Sequence, residues 1–104
     1  MNRYAIEALA IFGALIKTRR IARQMTEKEL AYRADISTAI LERIEQADPS
    51  CPIGAYFAVA ETLKIHLFED DQTKLSWRLF NVQEQLALLP KVENQMKEPF
   101  RDNF

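Results

Sequence analysis

Apolar side chains recur along this chain at intervals of three and four residues, which is the spacing of amphipathic α-helices. Segments with this spacing lie at residues 4–23, 27–34, 38–46, about 52–63 and about 73–89. The positions expected to face a core are Ala5, Leu9, Phe12, Leu15 or Ile16, Leu30, Ala31, Ala34, Ile36, Leu41, Ile44, Ile53, Tyr56, Phe57 and Ala60. The pattern predicts an all-α fold of five helices.

Two of the helix starts, and the turn between them, carry specific local signals. Thr26 is followed three residues later by Glu29, which predicts a capping box: the hydroxyl accepts from the backbone and the carboxylate reaches back. Asp35 stands where a left-handed turn residue is needed, and Ser37 is a favourable N-cap. Residues 26–45 are therefore predicted to form two short helices joined by a tight turn, the arrangement of a DNA-binding helix-turn-helix.

A polar connection separates this segment from the helices that follow. Ser50 or Cys51 is expected to cap the fourth helix, with Pro52 in its first turn, where a missing N–H does no harm. The acidic stretch 68–71 is expected to form one short helical turn. We therefore expect a helix-turn-helix domain over residues 1–71, followed by a C-terminal helix.

The last helix carries a seam of apolar residues that alternate in steps of four and three, as in a coiled coil. The members of the seam are Leu75, Leu79, Val82, Leu86 and Leu89. Trp77, Phe80 and Leu88 are expected to widen this apolar face, which makes residues 72–90 a predicted dimer interface. The alternative is that the seam packs on the domain's own core. Residues 91–104 are predicted to be a mobile tail.

Charge is unevenly distributed along the chain, although the net formal charge is only −1. Residues 17–43 contain seven basic and four acidic side chains, whereas residues 44–104 contain six basic and ten acidic ones. The basic segment coincides with the predicted helix-turn-helix, as expected for a surface that faces phosphates. The excess is small, and ordinary solvated helix faces explain it equally well.

The rest of the composition narrows the class of protein. The apolar run 8–16 is about half as long as a membrane-spanning helix of roughly 20 residues, and basic residues follow it instead of preceding it as in a signal peptide. The one cysteine, Cys51, cannot form an internal disulfide, which favours a reducing compartment and hence the cytoplasm. His66 and Cys51 lack catalytic or metal-ligand spacing, so we expect no enzyme activity, metal or cofactor.

The third helix has the residues needed to read DNA. Its packing face contains Leu41 and Ile44. The opposite face then presents Thr38, Ala39 and Arg43 to base edges. The planar guanidinium of Arg43 matches guanine O6 and N7, while the side chains of Thr38 and Ala39 can contact thymine methyl groups.

Phosphate contacts are predicted from one residue within the first helix and from three residues near the starts of the second and third helices. These are Lys17, Thr26, Lys28 and Ser37. The N-terminus of a helix favours phosphate because its backbone amides and its dipole both point toward the anion.

For Arg43, the alternative to a base contact is a solvated side chain or an ion pair with Glu42 or Glu45.

Several motifs of the chain occur together in one protein family. They are Leu15, Arg20, Thr26, Glu29-Leu30-Ala31, Ile36-Ser37, Leu41, Arg43-Ile44-Glu45 and Ala60-x-x-Leu63. Residues 12–68 thereby resemble the Cro/C1-type (XRE) helix-turn-helix family. The resemblance implies a lambda-repressor-like domain, here with a C-terminal helical extension, that binds double-stranded operator DNA as a homodimer. It also implies a structural ion pair between Arg20 and Glu45.

A closer resemblance concerns the second half of the chain. The run Ala47-Asp48-Pro49-Ser50, the segment Ile53-Gly54-x-Tyr56-Phe57 and the residues LALLPK at 86–91 are similar to those of HipB-like antitoxins. This similarity implies a repressor of its own toxin–antitoxin operon, with a HipA-type kinase toxin as partner. Two alternatives stay open: an ordinary phage-type repressor, and a protein-interaction module with little specific DNA binding.

The chain departs from the family at positions that affect DNA binding. Glu27 stands where the family commonly has Gln, and a carboxylate there repels phosphate. Gln24, Asp35 and Ala47 stand where glycines are common, which costs backbone freedom. The loop 46–52 carries no Lys or Arg. We therefore expect a shallow salt dependence of DNA binding, and an affinity that depends on dimerisation or a partner.

Overall fold

The structure, a computed structural model, describes residues 1–90. Within that range the chain is all-α without strands, which confirms the predicted class. Its helices are α1 (Arg3–Ala22), α2 (Glu27–Ala34), α3 (Thr38–Glu45), α4 (Ile53–Thr62) and α5 (Gln72–Ala87). The chain divides into two compact units, one from Met1 to Leu67 and one that begins at Phe68 and contains α5. The predicted mobile tail, residues 91–104, lies outside the described residues.

Of the five helices in residues 1–90, four begin at a side chain that accepts a hydrogen bond from the first turn. The capping residues are Asn2, Thr26, Ser37 and Asp71. The fourth helix differs, because its N-cap is Pro52 and no side chain caps it. The prediction that Ser50 or Cys51 caps α4 is therefore wrong, and the Ser50 hydroxyl instead donates to Asp48.

The first four helices end alike, with one residue in the left-handed conformation. The positive φ angles are 57° at Gln24 and 59° at Asp35, Ala47 and Lys64. At each end, the backbone amide of the left-handed residue and the amide of the next residue donate hydrogen bonds to carbonyl oxygens in the last turn of the helix. This pattern is a Schellman motif. Three of these are the positions where the family resemblance led us to expect glycine. The fourth, Lys64, had no such signal.

The core of the first unit follows the predicted helical spacing. Its buried apolar residues are Phe12, Ile16, Met25, Leu30, Ala31, Ala34, Leu41, Ile44, Cys51, Tyr56, Val59, Ala60 and Leu63. Two predicted core positions are wrong: Ile53 is 62% exposed and Phe57 is 39% exposed. Ile53 is the first residue of α4, so it lies at the end of the core, and Phe57 lies at the core's edge with its ring 5.7 Å from that of Phe12.

A glycine in α1 sets the distance between the first and third helices. A Cβ added at Gly13 would lie 2.7 Å from the carbonyl oxygen of Ile44 and 3.3 Å from the amide nitrogen of Ala47. Only a residue without a side chain permits this approach of two backbones. A glycine inside a helical pattern often has such a packing reason, and this one positions α3.

The segment before α5 lacks the short helical turn predicted at residues 68–71. Its acidic residues serve another purpose. Asp71 caps α5 by accepting from the amide of Lys74, and Glu69 pairs with Arg78 at 2.6 Å between oxygen and Nε. Among residues 1–90, no helix is both long enough and apolar enough to cross a membrane.

Candidate nucleic-acid interface

The helices α2 and α3 form the predicted two-helix segment. Residues 35–37 join them, with Asp35 in the left-handed conformation and Ser37 as the cap of α3. The first unit buries α3 on one side, because α3 packs against α1 and α2 and both Leu41 and Ile44 are fully inaccessible to solvent. The opposite side of α3 is left facing the solvent.

The exposed side of α3 presents the three residues predicted to face bases. Ala39 and Arg43 are exposed and Thr38 is half-buried. Because an α-helix turns by about 100° per residue, Glu42 lies between Thr38 and Ala39 on this side and is also exposed. We call these four residues the reading face. A carboxylate at its centre can accept a hydrogen bond from cytosine, and it repels phosphate.

Arg43 is bound to the loop that follows its own helix. Its Nε donates to Asp48 Oδ2 at 2.9 Å, and its Nη2 donates to Ser50 Oγ. The sequence predicted, as alternatives to a base contact, either a solvated side chain or an ion pair with Glu42 or Glu45. The actual ion-pair partner, Asp48, is neither of these two residues. Its side chain is nonetheless 44% exposed.

The partner of Arg43 follows from the way α3 ends. In a Schellman motif, the third residue from the helix end and the second residue after its C-cap come together, often through an apolar contact. In α3 these positions are Arg43 and Asp48, whose backbones are joined by an amide-to-carbonyl hydrogen bond of 3.0 Å. An ion pair therefore replaces the usual apolar contact.

The carboxylate of Asp48 is strongly acidic. The amide and the hydroxyl of Ser50 both donate to it, and together with Arg43 they lower the pKa of Asp48 to about 2. The group is therefore charged at any physiological pH. The backbone of Asp48 is fixed as well, because the hydroxyl of the buried Tyr56 donates to its carbonyl oxygen at 2.9 Å.

The residues predicted to contact phosphate lie at the surface. Thr26 and Ser37 are exposed, and their hydroxyl oxygens accept from backbone amides at 3.0 and 3.1 Å. A hydroxyl that accepts one hydrogen bond can still donate another, so capping is compatible with a phosphate contact. The other half of the predicted capping box is absent, since the carboxylate of Glu29 instead accepts from Arg33 at 2.8 Å.

The ion pair that the resemblance implies between Arg20 and Glu45 is present. Nε and Nη2 of Arg20 donate to the two oxygens of Glu45 at 2.6 and 3.0 Å, and Nη1 donates to the carbonyl oxygen of Met25 at 2.9 Å. The side chains are only 12% and 4% exposed. This bidentate pair links the end of α1 to the end of α3, and it does not face solvent.

Glu27 is partly turned toward this pair. The residue is half-buried. Burial raises its pKa, the nearby carboxylates of Glu45 and Glu42 raise it further, and Arg20 opposes them. Two carboxylates, those of Glu45 and Glu27, therefore lie close to the Arg20 guanidinium. The expectation that Glu27 acts mainly by repelling phosphate leaves out this second role beside Arg20.

Most basic side chains of the segment 17–43 are engaged in hydrogen bonds or ion pairs within the protein. Arg19 Nη1 donates to the carbonyl oxygen of Leu63 at 3.2 Å and so ties α1 to the end of α4. Arg33 pairs with Glu29, and Arg20 and Arg43 are bound as described above. Among residues 1–90, the basic residues of the segment 17–43 that lack an ion-pair or hydrogen-bond partner are Lys17, Arg23 and Lys28.

In the second unit, α5 has no buried residue. The seam residues Leu75, Leu79, Val82 and Leu86 are 40%, 56%, 52% and 67% exposed. Trp77 and Phe80 stack with ring planes 6° apart and centroids separated by 5.5 Å. They lie on the opposite side of the helix from the seam, at about 100° of rotation per residue. The prediction that they widen the seam is wrong, because they form a second apolar face.

The predicted site residues thus separate into an exposed reading face, a buried ion pair and an exposed seam on another unit. No protein-family model, curated protein or solved structure matches this chain. Sequence reasoning missed Asp48 and Ser50 as partners of Arg43. The Schellman geometry at the end of α3 is the signal that would have indicated Asp48.

Proposed function

We propose that this chain is a DNA-binding transcriptional repressor that recognises a palindromic operator as a homodimer. The observation that carries the proposal is the exposed reading face on a short helix that is capped by Ser37 and packed through Leu41 and Ile44. A helix of this kind fits the major groove of DNA, which is about 12 Å wide. Two such helices in a symmetric dimer would meet half-sites about 34 Å apart.

The number of available cations predicts how binding responds to salt. If Lys17, Arg23 and Lys28 each contact one phosphate, a dimer makes six such contacts. Each contact contributes about −0.9 to the slope of log affinity against log salt concentration, so we expect a total near −5. Repressors that rely on more phosphate contacts have steeper slopes, near −10.

A gel-shift titration tests the proposal directly. The protein is titrated against DNA from its own promoter region and against unrelated DNA of equal length. Arg43→Ala should weaken specific binding by about 5- to 150-fold and relax one base position, whereas Lys28→Ala should weaken binding to both fragments alike. Equal affinity of the unaltered protein for the two fragments would overturn the repressor proposal.

The exposed seam supports the proposed dimer. Four apolar side chains per chain are accessible on one side of α5, and burial against a second copy would remove them from water. Leu79→Glu together with Leu86→Glu should give monomers in light scattering. The matched control is Trp77→Glu with Leu88→Glu on the other side of α5. Dimers that persist in the seam variant would contradict this interface.

The closer resemblance supports a role as the antitoxin of a HipA-type kinase module in the cytoplasm, where its operator lies. The chain would then bind both operator DNA and the kinase toxin. Co-expression with the product of the adjacent reading frame, followed by purification of the complex, tests this role. An adjacent frame that encodes no kinase would favour an ordinary phage-type repressor.

A second candidate function is a protein-interaction module with the same fold. Two observations favour it: the half-buried carboxylate of Glu27 lies beside the Arg20–Glu45 pair, and the guanidinium of Arg43 is already paired with Asp48. Both reduce the attraction of this surface for phosphate. Equal and weak binding to every DNA fragment, together with a stable complex with the kinase partner, would support this function.

A further inference from the structure

Arg43, Asp48 and Ser50 form a closed ring of hydrogen bonds beside the reading face. Asp48 uses both carboxylate oxygens: Oδ2 accepts from Arg43 Nε at 2.9 Å, and Oδ1 accepts from the amide and hydroxyl of Ser50 at 2.8 and 2.7 Å. The hydroxyl oxygen of Ser50 accepts from Arg43 Nη2 and closes the ring.

The ring is attached to rigid parts of the first unit. The hydroxyl of Tyr56, a residue that is only 1% exposed, donates to the carbonyl oxygen of Asp48. The Asp48 amide in turn donates to the carbonyl oxygen of Arg43 at 3.0 Å. These contacts fix the backbone of Asp48, and the amide and hydroxyl of Ser50 hold its carboxylate in place. A long side chain held at two of its donors has lost most of the rotamer freedom that it would otherwise lose on binding.

The ring leaves enough donors for a base. A guanidinium has five N–H groups, and the ring uses one on Nε and one on Nη2. Three remain, on Nη1 and Nη2, and a bidentate contact to guanine O6 and N7 needs two. A phosphate is a poorer ligand for the same group, because the charged Asp48 carboxylate beside it repels a second anion.

We propose that Asp48 and Ser50 are positioning residues that hold Arg43 for a guanine in each half-site and keep it from phosphate. The proposal rests on the proposed DNA-binding function. Asp48 thereby raises specificity at the expense of non-specific affinity. The opposite physical outcome is that Asp48 merely competes with DNA for Arg43, in which case its removal strengthens all binding.

The variant Asp48→Asn separates these two outcomes. The amide can still accept from Ser50, but its other group is a donor that cannot pair with Arg43 Nε. The probes are a duplex that the unaltered protein selects from a pool with randomised half-sites, and an unrelated duplex of equal length. Affinity for both is measured over a range of salt concentrations, with thermal melting to verify that each variant is folded.

We expect Asp48→Asn to weaken binding to the selected duplex by about tenfold or more, with equal or stronger binding to the unrelated duplex. The magnitude of the salt slope per subunit should rise by about one, because the released Arg43 can now contact phosphate. The preference for guanine at one position should fall. In an Arg43→Ala background, Asp48→Asn should cause no further loss of specificity.

Two controls make the result decisive. Ser50→Ala keeps the Asp48 carboxylate and should cause a smaller loss of guanine preference. Glu7→Gln also removes one negative charge, but at a position distant in sequence from the reading face, and it should leave specificity unchanged. If the unaltered protein selects no sequence, the proposed function fails. If it selects one, and Asp48→Asn keeps or strengthens the guanine preference, the positioning role is overturned.

Discussion

Replacement of Glu45 by Gln tests how the first and third helices are held together. The substitution keeps the shape of the side chain and removes the charge that Arg20 binds with two hydrogen bonds. Because the pair is largely shielded from solvent, the remaining guanidinium would lack a counter-charge in a place that water reaches poorly. The free energy of unfolding should therefore fall.

The structure sets the size of this effect. Loss of one partner from a buried ion pair costs about 3–5 kcal/mol. Here Arg20 keeps its hydrogen bond to the carbonyl of Met25, and Glu27 lies close enough to act as a substitute counter-charge. We therefore expect a loss of about 2–3 kcal/mol for Glu45→Gln, below the full cost of a stranded charge.

The role of Glu27 is visible in a double-mutant cycle. Glu27→Gln alone should have little effect or be slightly stabilising, because it removes a carboxylate whose pKa is raised by burial and by Glu45. Glu27→Gln with Glu45→Gln should lose about 3–5 kcal/mol, since Arg20 then has no acidic partner. The two substitutions should therefore be non-additive by about 1–2 kcal/mol.

Urea unfolding at neutral pH, followed by circular dichroism, measures all four proteins. Glu7→Gln is the control, because the Arg3–Glu7 pair is exposed at the surface and such pairs contribute little. Additive losses in the cycle would refute the view that Glu27 substitutes for Glu45. A loss for Glu45→Gln no larger than that of the control would refute the stabilising role of the pair.

Three further predictions concern stability. Ala47→Gly should raise the free energy of unfolding by about 1 kcal/mol, because Ala47 has a φ of 59° and left-handed backbone is costly for a residue with a Cβ; a decrease in urea unfolding would contradict this. Gly13→Ala should lower it by about 1–3 kcal/mol, because the new Cβ would meet the Ile44 carbonyl oxygen at 2.7 Å; an unchanged unfolding midpoint would contradict this. The lowered pKa of Asp48 stabilises the fold above its ordinary value of 3.8, and this stability is lost as pH falls toward about 2. The Asp48→Asn variant should therefore have a lower melting temperature than the unaltered protein at neutral pH, and its melting temperature should fall less over that acid range. Melting temperatures of the two proteins that fall in parallel with pH would contradict this.

Signals within a few residues of one another predicted much of the fold. Thr26 and Ser37 cap their helices because the required contact spans only three residues. Asp35 takes the left-handed conformation for an equally local reason. The wrong prediction of a helical turn at residues 68–71 also has a local cause. Acidic residues favour the start of a helix, and these residues precede α5 instead of forming a helical turn themselves.

Contacts between distant segments were harder to predict. The need for Gly13 depends on how closely α1 crosses α3, and helical spacing alone does not give that distance. Glu27 meets Arg20 and Glu45 only once α1, α2 and α3 are packed together. The Arg43–Asp48 pair was within reach of sequence reasoning, because both positions belong to one helix-ending motif.

The left-handed residues at the ends of the first four helices affect the lifetime of the protein in a cell. They are Gln24, Asp35, Ala47 and Lys64. A left-handed residue with a Cβ costs about 1–2 kcal/mol, and less where it is Asp. Small domains have total stabilities of about 5–15 kcal/mol. Strain at four helix ends therefore increases the fraction of molecules that are open at any moment, and proteases act on that fraction. A partner that binds only the folded chain decreases this fraction. The abundance of the protein should consequently follow the concentration of whatever it binds.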